Sequence, residues 1–482
     1  MFATSSFLSA RQSSRLAGRR FLAVLGGSRF PHLDSSSFAP SHIIKKDVAI
    51  IGGGATGTYA AIRLKDKGKS AIVIEQKARI GGHTDTYIDP ETKIPIDIGV
   101  KLFQNLTLVH NYFSRFGLEL IPFDIFDQPL IQNVDFKTGK QITGLPPTNQ
   151  TAVADAFQRY AEQVFKYPDL NRGFFIPEPV PEDLLLPFGE FVAKYHLEAA
   201  LYNILSITAA LGNILELPTL QVIRTQGISL LTTTLLTTAR QNNSELYSKA
   251  QDELLASNSL LLSSTVLASS RGRDGESVKL LVKTPSGPKL IIAKKLLITV
   301  PPKLDYLAPL DTSTEERKLF RKFTSVGYYI AIVKNAGITP GLQLNSYGQD
   351  TPYFLPQFPA LYNINPTPNP NLNLLIYGTK FGQTLTDKQV KADIIAGIRR
   401  YQRENPSNAT LAEPEVVEFR NHSPYNLMVS AEETRSGFYR DLYALQGKRN
   451  TWWTGAAWKA QDSSMSWLYT EESVLPGLLA GL

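Results

Sequence analysis

A strand, a glycine-rich turn and a helix near the start of the chain constrain its fold more than any other feature. Residues 47–51 supply a nearly continuous apolar run, as a buried parallel strand requires, and the turn that follows reads Gly52-Gly53-Gly54-Ala55-Thr56-Gly57. A second run, Ser70-Ala71-Ile72-Val73-Ile74, is closed by Glu75. These glycines allow a tight turn, the close approach of a pyrophosphate and the packing of a helix on the strand, while the acid is placed to accept from a ribose hydroxyl. The segment predicts a dinucleotide-binding Rossmann unit with a helix over residues 54–67.

A second pair of glycines favours FAD over NAD as the dinucleotide. The segment Arg79-Ile80-Gly81-Gly82-His83 follows Glu75 by a few residues, and glycines there let another stretch of backbone approach the same cofactor. An NAD-binding Rossmann half does not need this second approach. No further dinucleotide fingerprint follows Glu75 in the sequence, which indicates that electrons enter from an organic substrate, although some single-site hydroxylases bind NADPH without such a motif.

Later blocks of sequence, taken with these two motifs, resemble the amine-oxidase-like superfamily of flavoproteins. They are the pentapeptide Ile96-Asp97-Ile98-Gly99-Val100, three apolar stretches at 261–266, 278–282 and 289–300 that read as strands, and the closing segments Trp453-Thr454-Gly455-Ala456-Ala457-Trp458 and Ser463-Ser464-Met465-Ser466-Trp467. The resemblance implies that residues 96–100 run along the isoalloxazine ring and that the backbone at Val266 contacts adenine. It also implies that Gly455 meets the pyrophosphate and ribityl chain, and that a helix N-terminus faces the flavin pyrimidine.

A narrower likeness, over roughly residues 45–480, is to fungal FAD-dependent oxidoreductases typified by beta-cyclopiazonate dehydrogenase. It is carried by Gly82-His83, Asp97-x-Gly99-Val100 with Phe103-x-Asn105, His422-Ser423-Pro424-Tyr425, Gly437-Phe438-Tyr439, Leu445-Gln446-Gly447 and Thr454-Gly455-Ala456-Ala457. His83 stands where the superfamily usually has an arginine, so the likeness does not extend to amine oxidation itself. It implies an α/β fold with a three-layer, Rossmann-type FAD-binding domain and an interleaved α+β substrate domain, the two-domain architecture of amine oxidases.

The cofactor motifs divide the chain into alternating segments. The FAD-binding domain is predicted at 43–105, 241–305 and 431–482, with a helical substrate-domain part at 106–240, a sheet part at 306–430 and a leader at 1–42. Periodicity within the substrate segments predicts helices over 106–116, 151–167, 184–211 with a break at Pro187, and 223–240. Strands are predicted over 324–333 and 372–377, the second after a proline-rich loop, residues 352–370, that is either a lid or a surface excursion.

Cysteine content and charge exclude several classes of protein. The chain has no cysteine, which excludes a Cys-x-x-Cys redox pair, iron–sulfur ligation, a cysteine-linked flavin and the flavoprotein disulfide reductases. No apolar stretch approaches the roughly 18 residues that span a bilayer, and 43% hydrophobic with 19% charged residues is ordinary for an enzyme. Part of the net charge of +7 lies in the leader, so a nucleic-acid footprint is not supported. No metal site is predicted.

The leader has the composition of a mitochondrial transit peptide, because it is rich in serine and arginine and nearly free of acids. A short apolar run at residues 21–25, directly after Arg19-Arg20, leaves a secretory signal open. An unprocessed, disordered leader is the third interpretation. The sequence leaves the oligomeric state open.

The motifs and the resemblance together predict noncovalently bound FAD. Its predicted contacts are Gly52, Gly54, Ala55, Thr56, Gly57, Glu75, Gln76, Arg79, Gly81, Gly82, His83, Gly99, Val100, Val266, Gly455, Ala456, Met465 and Ser466. His83 is expected to bond the flavin or the diphosphate or to cap its loop, and a covalent histidyl link is the minor alternative.

Three residues are candidate catalytic groups. Lys101 follows the segment predicted beside the flavin, so its ammonium is a candidate for steering oxygen or a flavin anion, or else is a solvated lysine. His422 and Tyr425 lie where the chain returns to the cofactor domain and are candidates for base and donor, although a structural histidine is the more frequent outcome in a Ser-Pro turn.

Three functions fit these observations. The leading hypothesis is an FAD-dependent oxidoreductase that dehydrogenates a small, largely apolar molecule such as a secondary metabolite, with hydride transfer to flavin N5 and reoxidation by dioxygen or another acceptor. The second is a redox-neutral flavin double-bond isomerase, and the third is a flavoprotein without catalytic activity.

Overall fold

The computed structural model describes residues 33–123, 130–145, 149–207, 210–272, 275–406 and 412–482. Most of the predicted leader, residues 1–32, lies outside these ranges. Two seven-stranded sheets organise the described residues, and we call them the nucleotide sheet and the substrate sheet. The nucleotide sheet has the order β10 (Leu260–Leu261), β2 (Ala71–Ile74), β1 (Ile43–Ile51), β13 (Gly287–Ile298), β12 (Val278–Thr284) and β11 (Thr265–Arg271), with β21 (Thr451–Trp453) also paired to β13.

The centre of the nucleotide sheet is parallel and fully buried. Strand β1 pairs in parallel with both β2 and β13, and Val48, Ala49 and Ile50 have no exposed surface. Helix α1 (Ala55–Asp66) follows the glycine turn, with Gly54 as its N-cap and Lys67 as its C-cap. The predicted strand, turn and helix are therefore confirmed. The segment 43–105 contributes β1 and β2 to this sheet, 241–305 contributes β10 to β13, and 431–482 contributes β21.

One strand of the second cofactor block was predicted in the wrong place. The run expected over 261–266 is divided: β10 ends at Leu261, and β11 begins only at Thr265. Between them Ser263 adopts φ +48, and the backbone N–H groups of Ser263 and Ser264 donate to the carbonyls of Lys77 and Glu75. These hydrogen bonds bend the chain between β10 and β11, so the single apolar run at 261–266 contributes its two ends to two different strands.

The substrate sheet has the order β19 (Glu415–Asn421), β15 (Tyr328–Lys334), β18 (Leu372–Gly378), β17 (Ala360–Pro366), β16 (Leu342–Ser346), β7 (Leu130–Asp135) and β8 (Lys140–Gln141). Only β7 and β16 pair in parallel. Helix α11 (Asp387–Glu404) lays Val390, Ile394 and Ile398 into the core on one face of this sheet. The predicted strands at 324–333 and 372–377 are confirmed, the first as two pieces, β14 (Thr324–Val326) and β15, divided at Gly327.

The proline-rich segment 352–370 is not only a loop, because it contains the interior strand β17. Proline has no backbone N–H and is excluded from the middle of a ladder. Here Pro359 precedes the strand and Pro366 is its last residue, so residues 360–365 keep their N–H groups for pairing. The prolines therefore mark the two ends of a strand, and the prediction of a lid or a surface excursion over the whole segment is wrong for residues 360–366.

The helical segments are shorter than their periodicity predicts. They comprise α2 (Thr107–Arg115), α3 (Gln150–Val164), α4 (Glu182–Leu185), α5 (Phe188–Tyr195), α6 (Leu201–Ile207), α7 (Thr219–Ile223) and α8 (Ile228–Thr232). The break at Pro187 is confirmed, since Pro187 is the N-cap of α5. The helix predicted to reach Arg240 is wrong: Leu235–Thr238 form strand β9, paired with β5 (Phe103–Gln104) and β6 (Leu120–Pro122). Threonines suit a pleated surface, and the partner strands override the helical spacing.

Two short ladders lead from one sheet to the other. The first joins β3 (Asp85–Ile88) to β4 (Pro95–Gly99), and the second joins β14 to β20 (Tyr425–Met428). The remaining helices are α9 (Ser244–Ala256), α10 (Thr314–Phe320), α12 (Ala431–Arg435), α13 (Phe438–Tyr443), α14 (Ser463–Tyr469) and α15 (Leu475–Leu479). None of the helices in the described ranges is long and apolar enough to cross a membrane. The candidate site lies where these ladders bring both sheets together.

Candidate active site

The turn between β1 and α1 depends on two glycines for different reasons. Gly52 has φ +102, and a Cβ there would lie 2.7 Å from Thr299 Oγ1. A Cβ at Gly57 would lie 2.0 Å from the carbonyl oxygen of Gly52, so only glycine lets α1 pack this closely on the strand. The N–H groups of the first turn of α1 have no partner within the helix and point toward the space before it.

Glu75 braces the glycine turn from the neighbouring strand. Its Oε2 accepts from Gly53 N at 2.7 Å, its Oε1 accepts from Lys77 N at 2.8 Å, and the residue is 7% exposed. Each carboxylate oxygen accepts more than one hydrogen bond, so Glu75 can hold the turn and still bind a ribose hydroxyl. Gln76 lies exposed beside it.

The second glycine loop docks on the first. Gly81, with φ +105, donates from its N–H to the carbonyl of Gly53 at 2.7 Å, and a Cβ on Gly82 would lie 2.9 Å from Gly54 Cα. Arg79 shapes this loop, because its guanidinium donates to the carbonyls of Ile80 and Thr84 and pairs with Asp85 at 2.6 Å. Arg79 is thus committed to its own loop.

The space before α1 fits a diphosphate. An added Cβ at Gly54 would have a single atom within 4 Å, Gly82 Cα at 3.8 Å, although both glycine loops meet here. The open volume is bordered by the helix N-terminus, which favours an anion. Gly455 closes it from the C-terminal side: it has φ +115, and its added Cβ would lie 3.2 Å from Thr299 O and 3.7 Å from Thr56 Oγ1. The residues present therefore fit the dinucleotide that the motifs predict.

The other predicted contacts differ in exposure and in whether their backbone N–H groups are already bonded. Ala55 and Ala456 are half-buried next to Thr56 and Gly455, respectively, and Val266 is half-buried at the start of β11. The N–H groups of Met465 and Ser466 are occupied within α14, by Asp462 Oδ1 at 3.0 Å and by Asp462 O at 2.9 Å. A flavin contact at these two positions therefore has to share amides that already cap the helix.

Gly99 and Val100 connect the nucleotide half of the site to a cluster of rings. Gly99 has φ +127, and its added Cβ would lie 3.5 Å from His83 O and 3.7 Å from His422 Cε1. Strand β4 ends at Gly99, which places this loop beside the second glycine pair. Residues 96–100, which are predicted to lie beside the flavin, are thus placed between the glycine loops, which form the nucleotide half of the site, and the cluster of rings, which forms the other half.

Four side chains, which we call the ring cluster, pack on one another, with His422 next to Gly99: His83, His422, Tyr425 and Tyr328. The imidazoles of His83 and His422 meet edge to face with centroids 4.7 Å apart. The phenols of Tyr425 and Tyr328 stack at 4.5 Å with an interplanar angle of 27°, and Tyr425 lies 6.4 Å from His83. The predicted residues His83, His422 and Tyr425 therefore come together, on a cofactor loop, a turn and β20.

Both imidazoles are neutral at physiological pH. Burial, reinforced by the nearby cations Lys77 and Arg79, lowers the pKa of His83 to about 4. Burial and the neighbouring His83 hold the pKa of His422 well below its usual value. His422 is 3% exposed, and its buried Nε2 has no hydrogen-bond partner among the described residues. His83 is half-buried and is the accessible imidazole of the two.

Both phenols of the ring cluster remain protonated. Burial raises the pKa of Tyr425 well above its usual value, and it also raises the pKa of Tyr328. Both side chains are half-buried, and neither hydroxyl bonds to a described residue. They are consequently neutral donors facing accessible space.

Lys101 lies apart from the ring cluster. Its Nζ is over the Phe123 ring, 5.7 Å from the centroid, and desolvation lowers its pKa against the opposing effect of Asp97. Asp97 is buried, and burial raises the pKa of its carboxyl to about 7. Within the described ranges no group of three or more His, Asp or Glu side chains could hold a metal ion.

Sequence reasoning missed Tyr328 and Asn243. Tyr328 is one of two adjacent tyrosines in an apolar strand, which carries no signal of a site. Asn243 is buried and donates from Nδ2 to the carbonyls of Val100 at 2.8 Å and Lys101 at 3.0 Å. It is preceded by another asparagine, and only the fold distinguishes the two.

Comparison with known sequences places the chain in a family. Residues 50–116 match the family described as NAD(P)-binding Rossmann-like domain. The chain is 43% identical to the FAD-dependent oxidoreductase oblC of Cochliobolus heterostrophus, with 93% of this chain and 94% of that protein covered. It is 36% identical to beta-cyclopiazonate dehydrogenase of Aspergillus oryzae, with 89% of this chain and 92% of that protein covered. The chain belongs to the fungal FAD-dependent oxidoreductases. The predicted enzyme class and the choice of FAD are thereby confirmed.

Solved structures share the fold at low identity. The CLA-producing fatty acid isomerase from P. acnes superposes with a TM-score of 0.70 and 18% identity, covering 89% of this chain and 98% of that one. Wild-type putrescine oxidase superposes with a TM-score of 0.62 and 17% identity, covering 90% of this chain and 99% of that one. The predicted amine-oxidase-like two-domain fold is confirmed.

Proposed function

We propose that this FAD-dependent oxidoreductase dehydrogenates a small, largely apolar organic molecule of fungal secondary metabolism. The ring cluster is the observation that carries the proposal, because it presents the neutral imidazole of His83, backed by the buried ring of His422, together with two protonated phenols. Such a wall favours a flat or conjugated substrate and offers hydrogen bonds without charge. The relative named beta-cyclopiazonate dehydrogenase supports dehydrogenation as the reaction class.

In this proposal the chain binds the cofactor, orients the substrate and accepts one proton from the substrate. Glu75, the first turn of α1 and the paired glycine loops hold the dinucleotide. FAD bound there would supply the redox chemistry: a hydride acceptor for the substrate and a route for the electrons to dioxygen or another acceptor. The substrate also loses a proton, and the accessible neutral base beside Gly99 is His83. Because the pKa of His83 is about 4, it passes that proton on to solvent at neutral pH.

Each candidate catalytic residue takes a distinct part in this proposal. Tyr425 contacts the substrate and donates its phenolic hydrogen. His422 is a positioning residue, since its Nε2 is enclosed by protein and its ring supports His83. Lys101 places a positive charge two residues beyond Gly99, where it steers oxygen or an anionic flavin.

Anaerobic reduction tests the proposal. Purified protein loaded with FAD is mixed with libraries of amines, indoles and polyenes, and flavin absorbance is followed without NADH or NADPH. We expect one class to bleach the flavin stoichiometrically and to yield a product two hydrogens poorer. Conversion of a substrate without net oxidation would instead establish an isomerase, and a flavin that no substrate reduces or transforms would leave the third hypothesis, a flavoprotein without catalysis.

For the leader we propose mitochondrial targeting, on the grounds of its arginine and serine content. A fusion of residues 1–42 to a fluorescent protein in a fungal host tests it. Mitochondrial fluorescence is expected, whereas fluorescence in the secretory pathway would favour the signal-peptide alternative.

A further inference from the structure

A single buried asparagine, Asn243, connects the 97–101 loop, which comprises the end of β4 and the two residues after it, to helix α9. Asn243 has no exposed surface, and its Nδ2 donates to the carbonyls of both Val100 and Lys101. Its backbone N–H donates to Asp97 Oδ1 at 3.0 Å. One residue therefore contacts the loop at three points, from its first residue to its last.

The orientation of this amide is fixed in turn. Thr238 Oγ1 donates to Asn243 Oδ1 at 2.9 Å, so both ends of the side chain are bonded. Thr86 completes the arrangement, because its hydroxyl donates to Asp97 and accepts from Ser244 N at 3.2 Å. An aspartate cannot donate to the two carbonyls, and a glutamine is longer by one methylene. The site therefore requires asparagine.

The helix that begins beside Asn243 supports the other cofactor loops as well. Tyr247 of α9 lies beneath Gly81, with its Cγ 3.0 Å from the position of an added Cβ. Gln251 Oε1 accepts from Ile80 N at 3.2 Å, and Leu261, after the helix, accepts from Glu75 N at 2.9 Å. One continuous segment thus backs two stretches of chain, the 75–84 connection between β2 and β3 and residues 97–101, and Asn243 is its contact to the second.

We propose that Asn243 is a positioning residue of the oxidation reaction, which sets the 97–101 loop at the distance that the flavin requires. The inference rests on the proposed function, which places the flavin beside Gly99. Loss of the amide leaves the carbonyls of Val100 and Lys101 without this donor, and the loop then relaxes away from helix α9. The flavin loses a rigid wall while the nucleotide half is unchanged.

The test uses Asn243→Ala in the full chain, with Asn242→Ala as the matched control, because the Asn242 side chain takes part in none of these bonds. FAD affinity is measured by titration, and the flavin environment by visible absorption and circular dichroism. We expect FAD to bind about tenfold more weakly to Asn243→Ala, with a shifted flavin spectrum and a lower kcat at saturating FAD. The control should match the wild-type protein in all three.

A second pair of variants decides the matter if Asn243→Ala does not fold. Thr238→Val removes the hydrogen bond that orients the Asn243 amide, whereas Thr238→Ser keeps it. The valine variant should therefore shift the flavin spectrum, and the serine variant should keep the wild-type spectrum. Unchanged affinity and spectrum in a folded Asn243→Ala or Thr238→Val protein would overturn this inference alone. A wild-type protein that binds no FAD would instead overturn the proposed function.

Discussion

The two halves of the site are built from different parts of the chain: backbone in the nucleotide half and side chains in the substrate half. Around the dinucleotide, Gly52, Gly81 and Gly455 hold φ at +102, +105 and +115, and the groups offered to the ligand are N–H donors. In the ring cluster, which we propose contacts the substrate, side chains from distant segments meet: the two imidazoles edge to face and the two phenols stacked. A backbone site tolerates few residue types at each position, whereas a wall of rings can change its shape by single substitutions. Relatives can therefore keep FAD and differ in substrate.

The largest effect that separates these halves is expected at Gly57. A Cβ there would meet the carbonyl oxygen of Gly52 at 2.0 Å, so Gly57→Ala should destabilise the fold by at least about 3 kcal/mol or abolish folding. Gly54→Ala is the matched control, because its Cβ enters open space. Urea unfolding of both proteins without FAD measures the difference in their free energies of unfolding. Equal stabilities would contradict the explanation that only glycine fits against the Gly52 carbonyl oxygen at position 57.

Gly54→Val is expected to fold and to lose FAD. Its branched side chain would fill the space that fits the diphosphate, and we expect affinity to fall by at least about 100-fold, or roughly 2.7 kcal/mol. FAD occupancy after purification and titration of the apoprotein provide the measurement. Full occupancy in a folded Gly54→Val protein would contradict the assignment. Truncation after Thr451 is a poorer test, because it removes the fully buried Trp453, Trp458 and Trp467 together with the closing loop.

On the substrate side, Tyr425→Phe removes one hydroxyl and keeps the stack with Tyr328. We expect kcat to fall by about 10 to 100-fold with FAD affinity unchanged, because the donor acts on the substrate alone. Tyr353→Phe, at a residue 45% exposed, serves as the control. A change in FAD binding without a change in turnover would show that Tyr425 contributes to the nucleotide half rather than to the substrate side.

The neutral state of His83 predicts a pH dependence of stability. Its folded-state pKa of about 4 lies below the usual value, so the unfolded chain binds a proton more readily and the fold loses stability as the pH falls from 6.5 toward 4. Replacing His83 by glutamine should reduce the loss between pH 7 and 5 by up to about 2 kcal/mol. Asp97, whose pKa is raised to about 7, acts in the opposite direction, but it is common to both proteins and cancels in the difference. Identical pH profiles would show that folding does not lower the pKa of His83.

The smallest expected change concerns attachment of the flavin. We expect acid precipitation to release all FAD into solution, from the wild-type protein and from His83→Ala alike. Absorbance and mass of the supernatant flavin measure it. Flavin that stays with the denatured wild-type chain but not with the variant would identify His83 as a covalent link.

The sequence predicted the nucleotide half well because its determinants are local. The run from Gly52 to Gly57 and the acid at Glu75 lie within one strand–helix–strand unit, and their geometry follows from residue type. His83, Tyr328 and His422 come together only through the pairing of distant strands, so the periodicity of each segment contains no information about the others. Strands β9 and β17 were missed for a related reason, since in both cases the partner strands decide a conformation that local composition leaves open.

Closure of the C-terminal segment over the first helix bears on how the enzyme matures during synthesis. The indole N–H of Trp467 donates to the carbonyl of Ala55 at 3.1 Å, and Glu471 bonds both Tyr59 and Arg63 on the same helix. More than 400 residues separate the two partners, since the hydrogen bond from Trp467 spans 412 positions. When the ribosome has synthesised the glycine-rich turn at residues 52–57, it has therefore not yet synthesised the C-terminal segment that packs on helix α1. We therefore expect capture of the cofactor to be a late event that follows synthesis of nearly the whole polypeptide, and we expect a chain arrested midway to retain FAD poorly despite its complete glycine-rich turn.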